Sequence, residues 1–154
     1  MGWKGFGLTK KSNRSLPILG YSDRQTVKLD VDGREFRDVR RLAFRVMKHF
    51  RLRGDVILRS SRDHYHIVFN KTVTWEQNVN IMAWASLISK NAGLKRWFLM
   101  QCIKGASTLR GSSKGDKSPP RIVFREGNQD REIASFERWR KRIKKADKQR
   151  GKPP

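Results

Sequence analysis

From Thr26 the chain alternates, with Val27, Leu29 and Val31 on one side and Lys28, Asp30 and Asp32 on the other, the pattern of a half-buried strand. Gly33 breaks it. Phe36, Val39, Leu42, Ala43, Val46, Met47 and Phe50 then recur at spacings of three and four, which predicts an amphipathic helix over about 35–50. Gly54 ends that unit, Val56 to Arg59 reads as a second strand, and Ser60-Ser61-Arg62-Asp63 reads as a tight turn into a third, His64 to Asn70. Thr74 with Gln77 three residues later is a capping-box signature, so a second helix should run to about Lys90, where Asn91 and Gly93 stop it. Arg96 to Ile103 is aromatic and apolar enough to predict a fourth strand. A basic loop over 104–120, a short strand from Arg121 to Arg125 and a helix over about 130–148 complete the reading.

Strand, helix, strand, strand, helix, strand is the ferredoxin-like or RNA-recognition-motif-like order. The fold class expected is therefore α+β, a βαββαβ palm with an extra C-terminal strand and a basic helix. Residues 1–24 read as a basic arm with an apolar contact at Leu16, Ile18 and Leu19. Residues 25–126 form the palm, and 127–154 the basic helix with a disordered tail. In this order both helices lie on one face of the sheet and the other stays open. The first and third strands are central neighbours, so alternation sends Asp30, Asp32, His64 and His66 to the open face together.

Charge sets the class of partner. Lys and Arg number 36 against 14 Asp and Glu, a net charge of +22, which points to nucleic acid. The one-sided basic loop and C-terminal helix nominate Lys117, Arg121, Arg138, Arg140, Lys141, Arg142, Lys144 and Lys145 for phosphate contact, against the plainer reading of a solvated face. No stretch approaches the roughly 20 apolar residues of a membrane span. Cys102 is the single cysteine and no signal-peptide core is visible, so a cytoplasmic, reducing location without a membrane partner is expected.

Carboxylate oxygens on one sheet face suit Mg²⁺ or Mn²⁺, ions that in turn bind phosphates. The plainer readings are a turn signal for Asp-x-Asp-Gly and a surface pair for His-Tyr-His. Leu-Asp-Val-Asp (29–32), Ser-Ser-Arg-Asp-His-Tyr-His-Ile-Val-Phe (60–69) and Thr-Leu-Arg-Gly-Ser-Ser-Lys (108–114), in that order, resemble the archaeo-eukaryotic primase superfamily. The resemblance covers roughly 26–125 and implies metal-dependent nucleotidyl transfer in replication, with DNA favoured over RNA and nucleotides as substrates. It makes Asp30 and Asp32 metal ligands and, with His66, the catalytic set. Ser60, Ser61, Arg62, His64 and His66 become the nucleotide-phosphate site, and Arg110 and Lys114 lie near nucleotide or template. The expected fourth strand supplies no third acid; Gln101 stands there instead. No Cys/His cluster for zinc is present.

Two other functions fit parts of the pattern. His64-Tyr65-His66 matches the His-hydrophobic-His of rolling-circle endonucleases, which also need a nucleophilic tyrosine, and only Tyr21 and Tyr65 exist. A non-catalytic RNA-recognition module would place aromatics on the open face, where this chain has Lys28, Asp30 and Asp32.

Overall fold

A computed structural model describes residues 17–150. Strand β1 (Gly20–Asp23) is followed by β2 (Thr26–Asp32), α1 (Phe36–Phe50), β3 (Gly54–Ser61), β4 (His64–Thr72) and α2 (Trp75–Ser89). Then come α3 (Ala92–Lys104), β5 (Ser107–Arg110), β6 (Arg121–Gly127) and α4 (Glu132–Arg150). The fold is α+β. One antiparallel sheet has the order β2-β4-β3-β6, and β1 pairs with β5 in a separate antiparallel ribbon. Among the described residues no helix is long and apolar enough to cross a membrane.

The alternation read from sequence builds the first core. Val27, Leu29 and Val31 of β2, Ile57 of β3 and Tyr65, Ile67 and Phe69 of β4 are buried against Val39, Leu42, Ala43 and Val46 of α1 and Ile81, Met82 and Ala85 of α2. The Thr74 capping box forms as expected, with Thr74 accepting from Gln77 N and Gln77 accepting from Thr74 N.

Residues 92–104 are a helix, not the expected fourth strand, so the simple βαββαβ order is not reproduced. Asn91, read as the stop of α2, is also the N-cap of α3: its side chain accepts from Leu94 N at 3.1 Å. Leu94 and Gln101 are buried and Trp97 and Phe98 half-buried, a spacing of three and four that gives the helix an inner stripe. Gly105, at φ +76, closes it in the left-handed conformation that glycine adopts without penalty.

The second sheet face is not open either. Val56, Leu58 and Val68 bury against Ile133 and Phe136 of α4 and Leu109 of β5, with Tyr21, Ile122 and Trp139 packed around them. The covering ribbon draws Gly20–Asp23 out of the expected arm and into the fold. Leu16 and the tail 151–154 lie outside the described residues. The basic loop expected over 104–120 carries β5 and is anchored: Gly111 N donates to Leu19 O at 2.9 Å, Ser112 is buried, and Lys114 and Lys117 exchange backbone hydrogen bonds around a turn. Gly111 permits this, because a Cβ there would overlap the Trp139 ring.

Candidate functional site

Coverage of the second face stops short of one end of β2 and β4. There Asp30 pairs in register with His66 and Asp32 with His64, so the four side chains that the strand period sends to this face stand in two facing pairs. His64 Nδ1 donates to Asp32 Oδ1 at 2.7 Å. His66 Nε2 lies 3.8 Å from Asp30 Oδ1. The two turns that end these strands are tied together, since the Asp63 carbonyl accepts from Gly33 N at 2.7 Å and from Arg34 N at 3.3 Å. Ser60 Oγ donates to the His64 carbonyl at 3.2 Å, and a register shift between Arg59 and Ser61 places Ser61 opposite His64.

Arg110 enters from β5, almost fifty residues further along the chain. Its guanidinium donates to the carbonyls of Ser60 at 3.2 Å, Ser112 at 2.5 Å and Ser118 at 3.1 Å, so it joins the Ser-Ser turn to the basic loop. The result is a cleft of about 310 Å³. Asp30, Asp32, Ser60, Ser61, His64, His66, Arg110, Lys114 and Lys117 all line it, and Ile18 adds an apolar wall. Arg62 is exposed in the turn and is not part of the lining. Gln101 is elsewhere: buried on α3, it accepts from Thr108 N and donates to Trp97 O, each at 2.9 Å, and so takes no third-ligand position. The sequence signal for Ile18 was only its place in the short apolar run.

Electrostatics separate the two pairs. His66 is 4% exposed, and burial followed by the Arg110 charge pushes it down to about 3, so it is a neutral imidazole near pH 7. Asp30 is raised to about 7, first by burial and then by the neighbouring charge of Asp32, with His64 and Arg110 opposing and a hydrogen bond to Asp32 reinforcing the rise. Near neutrality the two carboxylates therefore share the space with a proton about half of the time. A divalent cation is the other way to relieve the same repulsion, and Mg²⁺ or Mn²⁺ commonly takes one or two carboxylates and completes its shell with water and phosphate oxygens. Asp30 and Asp32 have that donor chemistry. Among the described residues, no group of three or more His, Cys, Asp and Glu side chains is arranged to hold a metal ion by itself.

The far side of the basic loop faces α4 across a groove of about 430 Å³. Arg121, Arg140, Lys141 and Lys144 line it with Pro119 and Pro120, and no acidic side chain does. Arg140 is partly committed, donating to Pro120 O at 2.9 Å. Arg138, Arg142 and Lys145 are exposed on α4 but line neither cavity. Loop and helix are fastened together where Asp147 accepts from Ser113 N at 3.1 Å.

No protein-family model, no curated protein and no solved structure matches this chain.

Proposed function

We propose that this chain is a nucleic-acid-binding protein with a primase-polymerase-like palm, whose cleft takes the phosphates of a nucleotide and supports metal-dependent nucleotidyl transfer. The observation that carries the reading is the convergence of the Asp30/Asp32 pair, the Ser60-Ser61 turn, two histidines and three cationic side chains on one cleft. Arg110, Lys114 and Lys117 bring the positive charge that a triphosphate requires, and Arg110 is held rigid by three carbonyls. His66, neutral, donates one N–H to a phosphate oxygen without adding charge. Asp30 and Asp32 would hold Mg²⁺ or Mn²⁺, which supplies Lewis-acid polarisation and activation of an attacking hydroxyl. An antiparallel sheet with α1 and α2 on one face and the carboxylates on the other supports a palm of ferredoxin-like type, with α3 in place of the fourth strand.

The other readings lose support for specific reasons. Tyr65 is 5% exposed and packed on Phe36, while Tyr21 lies against Phe136 and Trp139 with its hydroxyl raised by burial, so neither is placed as a nucleophile beside the histidines. A base-stacking sheet needs open aromatics, and α4 with the β1/β5 ribbon covers that area.

The deciding experiment is Mn²⁺-dependent nucleotide incorporation on primed and unprimed single-stranded templates. Asp30→Asn/Asp32→Asn should lower incorporation at least about 100-fold, the scale of removing preorganised electrostatic stabilisation, with the circular dichroism spectrum unchanged. No incorporation by the wild-type chain, alongside nucleotide binding that the substitutions leave intact, would sink the catalytic reading and leave a binding module.

The groove beside α4 gives a separate test of strand binding. Lys141→Gln/Lys144→Gln removes two exposed charges and should reduce the slope of log affinity against log salt for a single strand by about 1.4, at roughly 0.7 per phosphate contact. A slope that does not move would place the strand elsewhere.

A further inference from the structure

Arg34, Arg41 and Arg45 line a cavity of about 210 Å³ on the helical face of the sheet, where Val31 rather than its neighbours Asp30 and Asp32 contributes to the wall. This cavity shares no lining residue with the Asp30/Asp32 cleft. The two are nonetheless neighbours through the end of β2. Asn91, in the cavity wall, donates from its side chain to the Asp32 carbonyl at 2.9 Å.

The cavity sets three guanidiniums against one acid, Asp38. Some other arginines have visible occupations: Arg125 pairs with Glu137, Arg110 bonds three carbonyls, Arg140 bonds Pro120 O, and Arg40 lies 4.4 Å over the Phe124 ring. Among the described residues, none of the three cavity arginines forms an ion pair, and Arg34 makes one long hydrogen bond, 3.4 Å, to the carbonyl of adjacent Gly33. Arg41 and Arg45 are four residues apart on α1, where like charges repel. Asp38 is the one carboxylate in the lining, and its ion-pair contact is with Arg37, at 3.8 Å. Three positive charges against one leave the cavity at about +2, the complement of a phosphate dianion, and guanidinium forks match phosphate oxygens in pairs.

We propose that this cavity is a second phosphate-binding site, independent of the cleft, filled by a phosphate group of nucleic acid or by free phosphate. Bound anion converts the repulsion between Arg41 and Arg45 into two charge-assisted contacts.

The test follows arginine Nε–Hε resonances of the full-length chain by NMR, with inorganic phosphate added at constant ionic strength, then with a single-stranded oligonucleotide. The signals of Arg34, Arg41 and Arg45 should shift together and saturate. Arg41→Gln/Arg45→Gln should weaken the Arg34 response at least about tenfold, the loss expected on removing a charged hydrogen-bond partner. Both substituted positions are exposed, and a thermal melt checks that the fold is kept; should it fail, Arg34→Gln read at Arg41 and Arg45 replaces it. Saturation with phosphate supports a site for the free anion, and saturation with the oligonucleotide alone supports a site for a strand phosphate. Shifts no larger than those of Arg142, or shifts that never saturate with either, would overturn the proposal. The cleft is scored separately, because Asp30→Asn/Asp32→Asn should leave these arginine shifts unchanged.

Discussion

An Asp55→Asn variant should unfold at higher urea than the wild-type chain at pH 8 and at nearly the same urea at pH 4. Asp55, on β3, is fully buried, and neither carboxylate oxygen has a hydrogen-bond partner. It is raised to about 7 by burial first and then by the charge of Glu126, its register partner on β6, with Arg40 partly offsetting the rise. The sign follows from the direction. A carboxyl near 7 in the fold and about 3.9 in the unfolded chain binds its proton more tightly when folded, so its stabilising effect is complete below about pH 4 and fades as the pH climbs to 7. The full swing is at most about 4 kcal/mol, at 1.36 kcal/mol per unit. Asparagine keeps the shape and cannot ionise. The variant should thus gain about 2–3 kcal/mol at pH 8, discounted from that ceiling because the amide is no better satisfied than the acid. Asp30 titrates over the same range in the same direction and His66, held down to about 3, in the opposite one, so the difference between variant and wild type at each pH, rather than either slope alone, reports Asp55. Urea unfolding at pH 4, 6 and 8 measures this, and equal destabilisation of the variant at every pH would refute it.

Asp23→Ala should have the opposite effect and cost about 3–5 kcal/mol, the penalty for leaving a buried charge unpaired. Lys28 is 0% exposed beneath the β1/β5 ribbon. Its ammonium donates to Asp23 Oδ1 at 2.7 Å, Ser107 Oγ at 3.0 Å and Ser107 O at 3.2 Å, and it lies 5.3 Å from the Tyr21 ring centre. Burial lowers its pKa and the Asp23 charge works against that fall. Asp23 also accepts from Thr26 N at 2.9 Å and Thr26 Oγ1 at 2.6 Å, so one carboxylate closes the turn and neutralises the lysine together. Because the ribbon delivers Arg110 to the cleft, loosening it should weaken the nucleotide binding proposed for the cleft as well as stability. Adding Lys28→Met to Asp23→Ala should recover most of the loss, since an apolar side chain of similar length needs no partner. Chemical denaturation of the single and double variants decides the matter. A double variant no more stable than Asp23→Ala would show that the Thr26 contacts, rather than the buried charge, dominate.

Hydrogen bonds to the sheet fix where the basic helix starts. Thr72 Oγ1 donates to Glu132 Oε1 at 2.5 Å, Glu132 Oε2 lies 2.9 Å from Thr26 Oγ1, and Asn70 Oδ1 accepts from Arg131 N at 2.9 Å, so the start of α4 is hydrogen-bonded to β4 and sits against β2. From there Ile133 and Phe136 seal the second core while Lys141 and Lys144 remain exposed along the groove.

What the sequence by itself determined is local. Strand period, with the first and third strands as neighbours and their apolar sides turned to the core, put Asp30, Asp32, His64 and His66 on one face, because neighbouring side chains in a strand must alternate. Apolar spacing set α1, and Thr74 with Gln77 set the start of α2, since both signals close within a turn or two of helix. Residues 96–103 lie in a helix rather than the expected strand because Trp97, Phe98 and Ile103 suit both, and the Asn91 cap and the inner stripe from Leu94 to Gln101 decide for the helix. Tertiary structure decided everything that joins distant segments. Arg110 meets Ser60 fifty residues away, Lys28 is buried by a ribbon whose strands, Gly20–Asp23 and Ser107–Arg110, are far apart in sequence, and α4 closes a face that alternation left open. A side chain's face is set by its own backbone, but what covers that face depends on which remote surface loses most water by packing there.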